Sequence, residues 1–132
     1  MYFDPNAEGL TVAQMSCTVG VTAHTLRYWE RAGLIAPIQR DSAGRRVYRQ
    51  ADVVWVQFLL RLRETGMPIA RMREYARLRA QGDMTIPERL DLLSAHQHTL
   101  RQQIEHLQEH QNALDAKIDT YRHMLSQNRD PQ

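Results

Sequence analysis

The chain has 132 residues, of which 42% are hydrophobic, and carries a formal net charge of +2. That length suits one small domain plus an extension rather than several domains. A single cysteine, Cys17, excludes an intrachain disulfide. No signal peptide opens the chain and no apolar run reaches transmembrane length, so a soluble cytoplasmic protein is expected.

The net charge hides an asymmetry. Residues 1–81 hold twelve Arg against seven Asp or Glu, and residues 82–132 hold five basic against eight acidic residues. A front of +5 followed by a rear of −3 suggests a polyanion-binding part and a second part with another task. Lys117 is the only lysine. The other cations are arginines, whose planar donor fork suits phosphates and guanine edges.

Residues 1–9 read as a tail. Thr11 can cap a first helix, Val12–Thr18, with Val12 and Met15 turned inward. A turn with Gly20 leads to Thr22, a second cap, whose hydroxyl can accept from an amide of the next helix. That helix carries His24, Leu26, Arg27, Trp29 and Arg31 and ends at Gly33. Two short helices joined by a glycine turn, the second rich in arginine and aromatics, match a helix-turn-helix. A plain helical hairpin would share this pattern, so the elements that follow decide.

Two β-prone pieces, near Ile38–Arg40 and Arg46–Tyr48, flank an Asp-Ser-Ala-Gly turn and predict a small wing. Arg40, Arg45, Arg46 and Arg49 cluster around it, which favours contact with phosphates. A third helix is expected from about Ala51 to Thr65, burying Val54, Trp55, Phe58, Leu59 and Leu62. Gly66 ends it. Pro68 suits the first position of a fourth helix, 68–81, with Ile69, Met72, Ala76 and Leu78 or Arg79 inward. Arg71, Arg73 and Arg77 lie outside.

Thr85-Ile86-Pro87-Glu88 has the form of a capping box before a long helix. Leu90, Leu93, Gln97, Leu100, Ile104, Leu107, Gln111, Leu114, Ile118, Tyr121 and Leu125 then alternate spacings of three and four. This narrow seam needs a partner helix, and no other segment is long enough to supply one. A homodimeric coiled coil is expected, with Leu93, Leu100, Ile104, Leu107, Leu114, Ile118 and Tyr121 at the interface. The predicted fold class is mainly α: a winged helix-turn-helix domain at 10–82, including two further helices, a dimerising helix at 83–128 and a tail at 129–132.

The run Thr25-Leu26-Arg27-Tyr28-Trp29-Glu30-Arg31-Ala32-Gly33-Leu34-Ile35 resembles the signature of the MerR family of transcription regulators, T-[IL]-R-[YF]-[YW]-E-x-x-G-L-[IL]. The wing Arg40…Gly44-Arg45-Arg46-Val47-Tyr48 is similar to the family's R…G-Y-R-x-Y, with Arg45 where Tyr is usual. The resemblance covers roughly residues 10–125. It implies that Ala23 and His24 face the groove and that Arg27 and Trp29, with Arg46 in the wing, meet the DNA backbone; Thr22, Arg40 and Arg45 stand beside them as further DNA-contact candidates. It also implies an antiparallel coiled coil and double-stranded promoter DNA with an over-long spacer. The dimer would bend and untwist that spacer for RNA polymerase.

No cofactor is expected, and no nucleophile–base pair, phosphate-cradling loop or metal triad suggests an enzyme. A coiled-coil scaffold with a protein-binding front is the competing class, and the arginine wing speaks against it. The later helices are similar to a subgroup that senses aldehydes or nitrosative stress through a third-helix cysteine, but Arg61 stands at that position. Cys17 reads as incidental. If a signal is read, apolar small-molecule binding lined by Trp55, Phe58, Met72, Tyr75 and Leu93 is the favoured route. His106 and His110 have chelate spacing but no third ligand in the chain, and they read as a solvated face.

Overall fold

The computed structural model describes residues 9–129. The tail readings for 1–8 and 130–132 lie outside them. Five α-helices are present among the described residues: α1 (Val12–Val19), α2 (Ala23–Arg31), α3 (Gln50–Glu64), α4 (Ile69–Ala80) and α5 (Ile86–Arg129). A 3-10 turn, Asp83–Thr85, precedes α5. The chain divides into two compact units, one ending at Leu92 and one beginning at Leu93.

The first unit is built around α3, which packs on α1 and α4, while α1 also packs on α2. Met15, Leu26, Leu34, Ile35, Tyr48, Val56, Leu59 and Met72 are its fully buried side chains. Trp55 joins two parts of this core, because its indole N–H donates to the Leu34 carbonyl at 2.8 Å. Its ring stacks on Tyr75 with 5.6 Å between centroids. The Arg79 guanidinium covers it at 4.1 Å. A large apolar ring with one satisfied donor is a stable way to fill a small core.

The inward stripe of α3 differs from the expected one. Val53 and Val56 are buried, Phe58 is half-buried, and Val54 is 58% exposed. The helix is covered from two sides, which shifts the buried face by one residue at its start. On α4, Ile69 is exposed and Tyr75 is buried. Pro68 stands at the cap rather than at the first helical position. The Met72 amide donates to its carbonyl at 3.1 Å.

The wing contains no regular strand among the described residues. Two isolated antiparallel bridges hold it, Arg40 with Arg46 and Leu10 with Tyr48.

Thr85 does not make the expected capping box. Its side chain is buried, and its hydroxyl donates towards the Leu78 carbonyl at 2.5 Å and lies 2.9 Å from the Gly82 carbonyl. Arg89 donates to the same hydroxyl at 3.1 Å and to the Gly82 carbonyl at 2.8 Å. The 3-10 turn has already started the coil, so this hydroxyl faces the end of α4. These bonds tie the start of α5 to the end of α4. Thr85→Val keeps the shape, leaves the Leu78 carbonyl with only its bond from the Gln81 amide at 3.1 Å, and removes the acceptor of Arg89 Nε. It is expected to lower the unfolding free energy by about 1–3 kcal/mol in a urea titration. An unchanged midpoint would show that the hydroxyl contributes nothing.

The second unit is the remainder of α5. Every side chain from 101 to 129 is exposed in the single chain. That includes Ile104 at 56%, Leu107 at 67%, Leu114 at 64% and Ile118 at 44%. No helix among the described residues is long and apolar enough to cross a membrane.

Candidate nucleic-acid interface

Local chemistry sets the geometry of α1, the turn and α2. Thr11 Oγ1 accepts from the Gln14 amide at 3.1 Å, and Gln14 Oε1 accepts from the Thr11 amide at 2.9 Å. This reciprocal box fixes the start of α1. Gly20 then takes φ +78°, a left-handed conformation that a side chain would strain. The Ser16 hydroxyl donates to the Val21 carbonyl, closing the turn. Thr22 Oγ1 accepts from the Thr25 amide at 3.1 Å, so α2 starts at the expected cap.

The two faces of α2 are sharply different. Leu26 and Trp29 are buried, while His24, Tyr28 and Arg31 are exposed and Ala23 and Arg27 are half-exposed. His24, Arg27, Tyr28 and Arg31 recur at helical spacing on one side. No carboxylate pairs with Arg27 among the described residues. Tyr28 joins this face without a role predicted by the sequence: at 43% exposure it stands one turn after His24. Its spacing from His24 was the available signal.

Trp29 corrects an expectation. It is only 3% exposed, and the Arg63 guanidinium lies 5.5 Å from its ring centroid. A ring so enclosed is core, and it cannot present its face to a DNA backbone.

The wing is held by two carboxylates of different character. At its tip, Asp41 Oδ1 accepts from the Ala43 and Arg45 amides, each at 2.9 Å. Its other oxygen pairs with Arg45 Nε at 3.2 Å. The Arg45 amide bond, with help from the adjacent guanidinium, holds the Asp41 carboxyl below its ordinary pKa. Arg40 donates to the Gly44 carbonyl at 2.7 Å. Arg40 and Arg45 therefore stand exposed on an ordered tip. The Arg45 ion pair is open to water, so its net strength is small and a phosphate can replace Asp41 at little cost.

At the base of the wing, Arg46 Nε donates to Glu30 Oε1 at 2.8 Å, with both side chains about four-fifths shielded. Glu30 Oε2 also accepts from the Ile38 amide at 3.4 Å. One α2 carboxylate thus holds both arms of the wing. Arg46 was expected on a phosphate. The structure instead commits its Nε to Glu30, 16 residues away, which ties the wing to α2. Beside it, Arg49 donates to Gln39 Oε1 at 2.8 Å. Tyr48 anchors the second arm by paired bonds with Leu10 at 2.7 and 2.8 Å. Its ring is fully buried, its hydroxyl has no partner among the described residues, and burial raises its pKa.

The remaining sequence candidates fall elsewhere. Cys17 and Arg61 are exposed. Trp55, Met72 and Tyr75 are buried, and the Trp55 and Phe58 rings lie 5.6 and 5.8 Å from the Tyr75 ring, so the aromatics are packed as core. Leu93 belongs to the second unit. No group of three His, Cys, Asp or Glu is placed to hold a metal ion among the described residues of one chain.

Comparison with known proteins agrees with this arrangement. The profile of the MerR HTH family regulatory proteins matches residues 10–78, and that described as MerR, DNA binding matches residues 53–117. An HTH-type transcriptional regulator of Haemophilus influenzae is 32% identical over 84% of this chain and 82% of its own length. The Bacillus subtilis regulator AdhR is 39% identical over 64% of this chain, and the match spans only 61% of AdhR. Among solved structures, a MerR family regulator from Listeria monocytogenes superposes with a TM-score of 0.85 at 35% identity, covering 90% of this chain and 91% of that one. HiNmlR, a MerR family regulator lacking the sensor domain and bound to promoter DNA, gives 0.80 at 30% identity, covering 89% and 94%.

Proposed function

This chain belongs to the MerR family of DNA-binding transcriptional regulators, and from that premise we propose that it works as a homodimer on an inverted-repeat operator. Each copy places α2 in the major groove and its wing on the flanking backbone. The observation that carries this reading is the union of α2 with the base of the wing through Glu30 and Arg46 at 2.8 Å. Within it, Thr22, Ala23, His24 and Tyr28 meet the groove, and Arg27, Arg40 and Arg45 meet phosphates. Arg46 is a positioning residue. The DNA-bound state of HiNmlR supports the same docking here.

The dimer is an antiparallel pair of α5 helices crossing near Gln108. This register covers the seam from Leu93 to Leu125 and sets Arg101 against the partner's Asp115 twice, by symmetry. Shifting it by one heptad loses both pairs. One direction also brings Arg101 against the partner's Arg122. Two half-sites held at a fixed separation let the dimer bend and untwist the promoter between them for RNA polymerase. Residues 10–82 supply DNA contact and residues 83–128 supply dimerisation.

Fluorescence anisotropy across a salt series tests the docking. A phosphate contact weakens binding to all sequences and reduces the salt slope by about 1 when removed. Arg27→Ala is therefore expected to lower affinity for inverted repeats and random DNA together. His24→Ala is expected mainly to narrow the gap between them. Unchanged affinity of Arg27→Ala at moderate salt would show that the docking is wrong. Absence of any salt-sensitive DNA binding by the parent protein would favour a protein-binding scaffold.

A further inference from the structure

We propose that His106 and His110 of one chain, together with the partner's His110, form a binding site for a divalent transition-metal cation of the zinc class. The site lies beside the two-fold axis of the coiled coil and rests on the antiparallel register given above.

Residues 106 and 110 both fall within the uninterrupted helix α5, and both side chains are exposed. Residues four apart stack on one helix face, with Cβ atoms about 5–6 Å apart, a spacing two imidazoles can bridge to one cation. A single chain offers nothing further, since it places no third His, Cys, Asp or Glu with them among the described residues.

A second copy changes the count. In an antiparallel pair, each flank of the seam meets its own symmetry copy. On one flank the axis passes Gln108, which pairs Arg101 with the partner's Asp115. On the other flank the same register brings the axis to His110. His110 therefore stands against the partner's His110, with His106 one turn earlier on the same flank. The nearest cation on that flank is Lys117, seven residues on, whose amine lies over the Tyr121 ring at 5.8 Å.

Imidazole nitrogen suits zinc, nickel and copper, whereas calcium and magnesium need oxygen donors. Three nitrogens with one open position form a tetrahedral site for zinc. Binding there would cross-link the two helices at their midpoint. The second His106 lies on the far side of the axis, so one cation satisfies one dimer.

Zinc chloride titrated into the full chain tests this, with calorimetry for affinity and native mass spectrometry for stoichiometry. One zinc per dimer is expected. His110→Gln is expected to abolish it, and His106→Gln to weaken it by at least about tenfold. His98→Gln, another exposed histidine on α5, should leave it unchanged. Two zinc ions per dimer that survive His110→Gln would overturn the proposal, as would no binding. Spin labels at position 129 on a Cys17→Ser background report the register independently. Each lies ~30 Å from the crossing, so an antiparallel pair separates them by ~60 Å. A short distance would overturn the dimer reading and this site with it. A long distance without zinc binding would overturn this site alone.

Discussion

Aspartate at both Leu107 and Leu114 is expected to make the protein monomeric and to lower its affinity for an inverted-repeat operator by about a thousandfold. Both side chains are about two-thirds exposed in the single chain, so neither supports the fold of its own copy. In the antiparallel register Leu107 meets the partner's Gln111, and Leu114 meets the partner's Ile104. Two substitutions thus put four carboxylates into one seam, where each burial without a partner is costly. A monomer engages one half-site and loses the gain of holding the second at a fixed distance. The first unit has its own core up to Leu92, so its unfolding midpoint should barely move. Sedimentation equilibrium and anisotropy on the same preparation check both parts. A variant that stays dimeric would refute the proposed seam.

Trp29→Ala is expected to destabilise the first unit by about 3–5 kcal/mol, the cost of emptying a large buried aromatic site. Domain stabilities are of order 5–15 kcal/mol, so the variant should be partly unfolded near physiological temperature. The cause is geometric: the ring is 3% exposed beside Leu26 in α2, under the Arg63 guanidinium. A residue serving only as a DNA contact would behave differently, with affinity lost and the urea midpoint unchanged. Measuring both quantities separates the two roles, and a normal midpoint would restore the reading made from sequence.

The contrast between these residues shows what a sequence makes legible. Thr22 announced a helix start and Gly33 a helix end because capping depends on neighbours a few residues away. Gly33 indeed takes φ +80°. The three-four rhythm of α5 was equally plain, since a long helix without a core of its own keeps one phase throughout. Legibility failed where distant chain segments decide. Val54 and Val53 differ only in which neighbour covers α3. Thr85 and Glu88 have the spacing of a capping box, yet Leu78 and Gly82 take the hydroxyl first. Arg46 is a basic wing residue by any local measure, and only the fold places Glu30 within 2.8 Å of it. Tyr28 is 43% exposed although an aromatic on a short helix is more often core than surface, and only the packing of α2 decides which.

The two ion pairs of the wing also give it two responses to ionic strength. Arg45 is 77% exposed and its bond to Asp41 is open to counterions, whereas Arg46 and Glu30 are shielded at the base. At physiological salt the screening length is about 8 Å, and it acts on charges in water far more than on those withdrawn from it. The wing therefore behaves as a finger with a fixed knuckle and a compliant tip. On the docking proposed above, rising salt would loosen the grip on DNA without letting the finger swing away. A regulator so built can slide along the duplex on weak, exchangeable charges while keeping the shape with which it recognises its site.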